Sequence, residues 1–303
     1  MAALWSAQHV ASEEEARRLI ERQFPELRPV RLARAGEGFD NTVYLVNGSY
    51  IFRFPRREIS AELIRLERRL LPWLLEEELP LSIPEPLYYG TPGDAYPWPF
   101  LGYRLVEGSC PGPLTREQRM RSAEPLAAFF RKLHALPSGR ARELGVPADE
   151  LRRLDVPWRK PALLGNIRKL AESGLWHDER LHAYAEALQS PRPEPGGTTV
   201  LVHGDPHIRN IIVGPTGTLS GVIDWGDAHL GHPAVDLSLV YSFLPPEGRQ
   251  RFYSVYGPVD PHTEILARFR TVFTHVTLLL YAQDTGDPRL IRAASDSLSL
   301  ALS

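Results

Sequence analysis

Lysine, cysteine and long apolar runs are scarce in this chain of 303 residues. Lysine occurs only at positions 132, 160 and 169, so 32 of the 35 basic side chains are arginines. The single cysteine, Cys110, excludes a disulfide within the chain and is typical of a reducing compartment. The first residues show no secretory signal, and no apolar run approaches the roughly 20 residues of a membrane-spanning helix. We therefore expect a cytoplasmic protein without a membrane partner.

The chain also lacks an excess of charge of either sign, because its formal net charge is only −2. Nonspecific binding to nucleic acid needs a basic surface, so this balance argues against nucleic acid as a partner. The hydrophobic fraction of 43% and the charged fraction of 24% are ordinary for a globular protein. The length is sufficient for two lobes with a sizeable core. We expect a monomer that binds small molecules.

Polar residues cluster between short apolar runs in the stretch 200–236. One apolar run precedes the segment HGDPHIRN, and a later one ends in Asp224. Asp205 and Asn210 are five residues apart, which is the spacing of the kinase catalytic loop. In that loop the aspartate accepts the proton of the substrate hydroxyl and the asparagine holds Mg²⁺. Asp224 then follows where kinases place a metal-binding aspartate.

A metal-dependent hydrolase is a competing interpretation of the same stretch. It would use His203, Asp205 and His207 as ligands of Zn²⁺ or Mn²⁺, since imidazole and carboxylate suit both ions. This alternative leaves the spacing of Asn210 and Asp224 unexplained.

The segments HGDPHIRN and VIDWGDAHLGHPAVDL resemble the aminoglycoside phosphotransferase family of small-molecule kinases, which includes macrolide kinases and is related to choline kinases. The resemblance implies that Asp205 is the catalytic residue and that Asn210 and Asp224 are the Mg²⁺ ligands. It implies structural roles for two further residues: His203 would brace the catalytic loop, and Asp236 would support it from below. No role carries over to His207 or Arg209.

The first part of the chain predicts a kinase-like cover for the nucleotide phosphates. Gly36, Gly38 and Asn41 lie in a loop ahead of two strand patterns, which the dipeptide Asn47-Gly48 joins as a hairpin. Small residues let backbone N–H groups approach phosphate oxygens. The loop departs from G-x-G-x-x-G, because Asn41 occupies the third glycine position.

Arg53 occupies the strand position at which most kinases carry the phosphate-binding lysine. No lysine is available before residue 132, and arginine keeps the charge while offering two parallel donors. The resemblance implies that a glutamate of the following helix pairs with this base. We predict an Arg53–Glu67 ion pair, with Glu62 as the competitor.

The resemblance implies an α+β, bilobal protein-kinase-like fold. It has a small N-lobe, with an antiparallel sheet and one main helix, and a larger, mostly helical C-lobe. We expect the nucleotide-binding lobe over residues 1–106, a hinge over 107–113 and the catalytic and substrate-binding lobe over 114–303. The backbone of Tyr103–Gly108 would meet the purine, with Tyr103 and Val106 as nucleotide-binding residues. Thr115–Leu136 predicts one helix that Pro125 interrupts.

The expected function is Mg²⁺-dependent transfer of the γ-phosphate of ATP or GTP to a hydroxyl of a small molecule. An aminoglycoside antibiotic is the expected acceptor, with a macrolide 2′-hydroxyl or another small metabolite as the alternatives. A nucleotide-binding pseudokinase is a further rival, which the intact Asp205, Asn210 and Asp224 disfavour. A cationic acceptor needs carboxylates; those available are Asp227, Glu247, Asp260, Glu264, Asp284 and Asp287. A macrolide needs an apolar lining; the candidates are Tyr241, Phe243, Phe252, Tyr253, Tyr256 and Phe273.

Overall fold

A five-stranded antiparallel sheet forms the first part of the molecule. The computed structural model describes residues 7–37, 40–93, 96–188 and 198–303. The strands run in the spatial order first, second, third, fifth, fourth. They are β1 (Leu32–Glu37), β2 (Asn41–Val46), β3 (Tyr50–Pro55), β4 (Glu85–Gly90) and β5 (Phe100–Arg104).

The predicted hairpin joins β2 to β3. Asn47 and Gly48 both have positive φ angles, 52° and 71°, as the favoured two-residue hairpin turn requires. The Asn47 side chain fixes this turn against the preceding segment, because Oδ1 accepts a hydrogen bond from the Arg31 amide (2.8 Å) and Nδ2 donates to the Leu27 carbonyl (2.8 Å).

Alternation along β3 sends neighbouring side chains to opposite faces of the sheet. Phe52 and Phe54 are fully buried in an aromatic cluster with Phe100 and with α1 (Glu13–Gln23), whose N-terminus Ser12 caps. Arg53 lies between these two phenylalanines and therefore faces the other side, towards α2 (Glu58–Glu76). The sheet thus separates a hydrophobic support from a charged face.

The second part of the molecule is mostly helical. Its helices are α3 (Arg116–Arg121), α4 (Ala123–His134), α5 (Ser138–Glu143), α6 (Val156–Glu172), α7 (Glu179–Ala187), α8 (Ala234–Phe243), α9 (Pro246–Tyr256), α10 (Pro261–Asp284) and α11 (Pro288–Ala301). Two short antiparallel pairs carry the polar cluster. They are β6 (Val200–Val202) with β9 (His229–Gly231), and β7 (Ile211–Val213) with β8 (Leu219–Val222).

The prediction of one helix over Thr115–Leu136 is wrong, because α3 and α4 are separate helices that meet at Ser122. Pro125 explains the break. A proline ring clashes with the carbonyl four residues earlier, here that of Arg121, which favours a kink or a break at this point of the helix. The Ser122 hydroxyl accepts a hydrogen bond from the Leu219 amide (3.0 Å) and so joins the break to β8.

Helix α10 supplies much of the core of this second part. Among the described helices it alone is long and apolar enough to cross a membrane by length and composition, with a mean hydropathy of 1.2. However, 56% of that window is buried, and α10 packs against α6, α8 and α11. Its apolar residues therefore form a protein core, while one face of the helix remains polar.

A short connection after β5 joins the two parts. The Leu105 amide donates to the Ser49 carbonyl (2.9 Å), and Ser109 exchanges two backbone hydrogen bonds with Val213 of β7. Gly108 has a φ of 124°, and a Cβ there would lie 2.4 Å from the Val213 carbonyl oxygen. The chain can approach β7 this closely because residue 108 is glycine.

Candidate active site

The loop that carries Asp205 is held by a buried carboxylate below it. Asp236, at the start of α8, is fully buried and accepts hydrogen bonds from the amides of His203 (2.8 Å) and Gly204 (3.0 Å). Its Oδ2 also accepts one from His134 Nε2 (3.1 Å). The predicted structural contact of Asp236 is therefore present, and it fixes the loop at the end of β6.

His203 connects this loop to the loop of Asp224. Its Nδ1 accepts a hydrogen bond from the Asp205 amide (3.3 Å), so its Nε2 carries the proton that is donated to the Ile223 carbonyl (2.9 Å). The ring also packs edge-on against Trp225, with the centroids 4.8 Å apart. Because both ring nitrogens bind the main chain, the hydrolase alternative loses one of its three metal ligands.

Asn210 belongs to the same hydrogen-bonded unit. Its side-chain Nδ2 donates to the Asp205 carbonyl (3.0 Å), and its own carbonyl accepts a hydrogen bond from the Ile223 amide (2.9 Å). Since the amide nitrogen is used inside the loop, Oδ1 is the atom of this side chain that can bind a cation. The predicted neighbours Asp205, Asn210 and Asp224 therefore lie in one connected structure.

Asp224 follows β8 in a conformation that residues with side chains rarely adopt. Its φ of 68° and ψ of 71° lie in the left-handed region. Strained backbone of this kind costs about 1–3 kcal/mol and clusters at functional sites. The side chain is 45% exposed, and its Oδ1 accepts a hydrogen bond from Arg53 Nη2 (2.6 Å). Asp224 therefore faces the space between the two parts of the molecule.

The predicted Arg53–Glu67 ion pair is present, with Nη1 and Oε1 2.6 Å apart. Arg53 bridges two carboxylates, because its other nitrogen binds Asp224. Burial alone would lower the pKa of the Arg53 guanidinium, but the charges of Asp224 and Glu67 raise it above its ordinary value. Glu62 is exposed and pairs with Arg65 instead. Arginine thus spans a gap that needs two donors at one fixed separation.

Tyr103 belongs to the sheet and lies outside the connection between the two parts. Tyr103 lies inside β5, opposite Ile51 of β3 and Pro86 of β4, and its hydroxyl donates to Glu67. Its side chain is buried and positions Glu67, so it does not present a free backbone edge to a purine. Val106 lies beyond the end of β5, where its main chain forms no hydrogen bond to the described part of the chain. Val106 stays a predicted nucleotide-binding residue.

The glycine-rich loop is fixed at its far end. Asp40 accepts hydrogen bonds from Arg57 and from the Ser60 hydroxyl (2.7 Å) at the start of α2. Gly36 ends a bulge in β1 and is open to solvent. Asn41 is buried, and its Oδ1 has no hydrogen-bond partner among the residues that the structure describes. The third predicted residue, Gly38, lies outside the described residues.

Two contacts to Asp205 were not predicted. Arg270, from α10, places Nη2 3.0 Å from Oδ1, and His207 Nε2 lies 3.2 Å from Oδ2. Burial alone would raise the pKa of Asp205, but His207, Arg270 and His203 hold it well below its usual range. The available signal in the sequence was weak: Arg270 lies between Phe269 and Thr271 in a largely apolar helix, but that helix also contains Arg268.

A second ionic group lies beside Asp205. Arg153 is buried and binds Asp149 (2.7 Å) and Asp227 (2.6 Å). Burial raises the pKa of Asp227 to about 6, and the neighbouring negative charges of Asp205 and Asp224 contribute to the shift. Asp227 was predicted as a carboxylate available to a cationic acceptor, but it already has a cationic partner.

Most of the other acceptor-binding candidates serve the fold. Asp260 and Asp287 cap α10 and α11, and Glu247 pairs with Arg116 at the surface. Phe243 and Phe252 are fully buried. Half-buried Phe273 is different, because the guanidinium of Arg159 lies 4.9 Å from its ring centroid.

Known proteins share this architecture. Viomycin phosphotransferase from Streptomyces vinaceus is 27% identical over 259 residues, which are 80% of this chain and 85% of that protein. APH(2″)-IIia, solved as its complex with GDP and kanamycin, is 26% identical with a TM-score of 0.66, covering 94% of this chain and 97% of that one. Macrolide 2′-phosphotransferase type I shares the fold at 22% identity, with a TM-score of 0.56 and coverage of 96% and 99%.

These likenesses confirm the predicted bilobal, kinase-like fold and the predicted small-molecule kinase class, with a hydroxyl as phosphoryl acceptor. The family described as the phosphotransferase enzyme family matches residues 31–261, which is more than half of the chain. This chain belongs to the phosphotransferase enzyme family.

Proposed function

We propose that this enzyme transfers the γ-phosphoryl group of ATP or GTP to a hydroxyl of an antibiotic, with Mg²⁺ as cofactor. The observation that carries this proposal is the connection between the two loops. Asn210 binds the Asp205 carbonyl (3.0 Å), and the residue before Asp224 donates to the Asn210 carbonyl (2.9 Å). The Asp205 carboxylate and two oxygen groups suited to Mg²⁺, those of Asn210 and Asp224, are therefore held by one hydrogen-bonded frame.

The residues of this frame fit Mg²⁺. Asn210 Oδ1 and the Asp224 carboxylate are oxygen donors, and Mg²⁺ commonly takes one or two protein ligands together with substrate phosphates. Within the described ranges no group of three or more His, Cys, Asp or Glu side chains could hold a metal ion. This is consistent with a Mg²⁺ site that has only two protein ligands and is completed by the nucleotide phosphates. When bound, the ion would neutralise negative charge on the transferred group.

The nucleotide would lie between the sheet and the loops of Asn210 and Asp224. Arg53 supplies two donors at this place and is 11% exposed at its side chain, so it faces the site from a fixed position. The loop that contains Gly36 and Asn41 would cover the phosphates, and Val106 would offer its main-chain groups to the base. Related enzymes solved with GDP or ADP support a nucleotide donor.

Asp205 would orient the acceptor hydroxyl. Its low pKa keeps the carboxylate ionised at neutral pH, so it accepts a hydrogen bond and does not donate one. The transferred phosphoryl group passes through a loose transition state, in which positioning contributes more than early removal of the proton. The acceptor that we predicted from the sequence is an aminoglycoside, with a macrolide as the alternative. Relatives named for both, and for viomycin, support an antibiotic.

The direct test is nucleotide consumption with Mg²⁺ against aminoglycosides, macrolides and viomycin, with ATP and GTP in parallel. We expect acceptor-dependent turnover, and we expect Asp205→Asn to lower it by on the order of 10² or more while nucleotide affinity stays nearly constant. Nucleotide binding without transfer to any acceptor would favour the pseudokinase. Zinc retained through dialysis would favour the hydrolase.

A further inference from the structure

The aspartates around the acceptor side of Asp205 share one property. Each is already paired with an arginine of the same chain, so an ammonium group on an acceptor would meet a guanidinium at each carboxylate. The pairs are Asp149–Arg153, Asp205–Arg270 and Asp227–Arg153.

Arg159 adds a further guanidinium to this side. It donates to the Arg152 carbonyl (3.0 Å) and lies about equally far from the ring centroids of Trp158 (5.0 Å) and Phe273 (4.9 Å). Burial lowers the pKa of Arg159 to about 10, and the positive charge of Arg270 contributes to this shift. The two guanidinium groups are therefore close enough to repel each other, and a third cation would add to that repulsion.

Among these arginines, Arg270 is the one that contacts Asp205, the residue that would bind the acceptor hydroxyl. Its side chain is 11% exposed and its Nη2 is 3.0 Å from the Asp205 oxygen Oδ1. A hydroxyl bound to that carboxylate would bring the neighbouring substituent of the acceptor towards the guanidinium. Two like charges about 5 Å apart would disfavour binding by on the order of a hundredfold at an effective dielectric constant of about 20. The charge of Asp205 offsets part of this, so we expect a penalty of about tenfold or more.

We propose, building on the function above, that Arg270 determines acceptor specificity. It selects acceptors whose reactive hydroxyl is flanked by a neutral or anionic oxygen group, such as an amide carbonyl or a carboxylate, and it disfavours an ammonium group there. Guanidinium N–H groups donate to such oxygens. Arg270 contacts Asp205 and so positions it as well.

The test compares kanamycin with fully N-acetylated kanamycin, and viomycin with its N-acetylated form. Acetylation keeps the hydroxyls and converts ammonium groups to neutral amides. The value of kcat/KM is measured with ATP or GTP, and binding is measured by calorimetry with a nonhydrolysable nucleotide present. We expect the wild-type enzyme to favour the acetylated member by about tenfold or more. We expect Arg270→Lys to keep this ratio and Arg270→Gln to reduce it to about threefold or less.

Arg268→Gln is the matched control, because Arg268 lies on the same helix but stacks on Tyr241 and donates to the Ser303 carbonyl (3.1 Å). It should keep the wild-type ratio. Three results would overturn the inference. The wild-type enzyme could bind or turn over the ammonium forms as well as or better than the acetylated forms. Arg270→Gln could change both forms equally, or neither form could bind. Binding that follows the expected ratio without phosphoryl transfer would instead count against the proposed function alone.

Discussion

Replacing Asp236 by asparagine tests how strongly the buried carboxylate holds the catalytic loop. The side chain is fully buried, and its two oxygens accept three hydrogen bonds, from the amides of His203 and Gly204 and from His134. Asparagine has the same shape but presents one NH₂ group. In either orientation that group faces a backbone N–H, so at least one buried donor loses its acceptor.

The magnitude follows from the bonds that are lost. A hydrogen bond to a charged group contributes about 1.5–3 kcal/mol, and a buried donor without a partner costs about 1–3 kcal/mol more. We therefore expect Asp236→Asn to lower the free energy of unfolding by about 3–5 kcal/mol, a large fraction of the roughly 5–15 kcal/mol of a typical domain. We also expect kcat to fall, because the loop that carries Asp205 relaxes.

The pH dependence separates the charge from the shape. Burial alone would raise the pKa of Asp236, but His134, His203 and the Gly204 amide lower it below its ordinary value of 3.8. A depressed carboxyl pKa contributes stability that is fully present above the unfolded-state pKa, near 4, and is lost as the pH falls towards the folded-state pKa. The difference in unfolding free energy between wild type and Asp236→Asn should therefore be constant from about pH 5 to 7 and shrink below pH 4.

The assay is urea denaturation at several pH values. If the unfolding free energy falls with urea concentration at the same slope in both proteins, the shift of the midpoint measures the change in stability. Asp287→Asn is the matched control, because Asp287 caps the N-terminus of α11 at the surface and asparagine caps helices about as well. It should change the unfolding free energy by only a few tenths of a kcal/mol. A loss below about 1 kcal/mol in Asp236→Asn, or a pH-independent difference, would refute the bracing role.

Substitutions at two further positions, Arg53 and Gly204, test other contacts of the site. Arg53→Lys should raise the nucleotide KM by several-fold and Arg53→Ala by about tenfold or more, since lysine keeps the charge but lacks the second nitrogen that reaches Asp224. Steady-state kinetics at saturating acceptor measure this, and indifference to Arg53→Ala would contradict phosphate binding. Gly204→Ala should cost several kcal/mol and much of kcat, because Gly204 has a φ of 91° and a Cβ there would lie 2.0 Å from the Asp227 carbonyl oxygen. Gly139→Ala, at an open helical position, should instead be neutral or stabilising by about 0.5–1 kcal/mol, and equal melting temperatures for the two variants would contradict this argument.

The parts of the fold that could be predicted from the sequence rest on local chemistry. Asn47-Gly48 specifies a hairpin because these residues accept positive φ, and the alternation around Arg53 specifies which face its side chain takes. The spacing of Asp205 and Asn210 places both in one loop, which the structure contains. Each of these features is decided within a few residues.

The contacts that were missed join distant segments. Arg270 reaches Asp205 across 65 residues, and this depends on how α10 rotates as it packs, which no local pattern specifies. Tyr103 was misplaced for a similar reason. Tyr103 is held in β5 by pairing on both sides and by the contact with Glu67, 36 residues away, whereas the sequence offers only a glycine-rich stretch a few residues later.

The missed contacts also bear on what Asp205 does. An efficient general base has a pKa near the working pH, and Asp205 is shifted in the opposite direction by Arg270 and His207. This environment therefore does not suit a general base. It does suit a carboxylate that orients the acceptor, because Asp205 stays ionised and its two oxygens are fixed before the acceptor arrives. Since the loose transition state of phosphoryl transfer demands position more than basicity, the geometry around Asp205 fits orientation of the hydroxyl, with its proton leaving late.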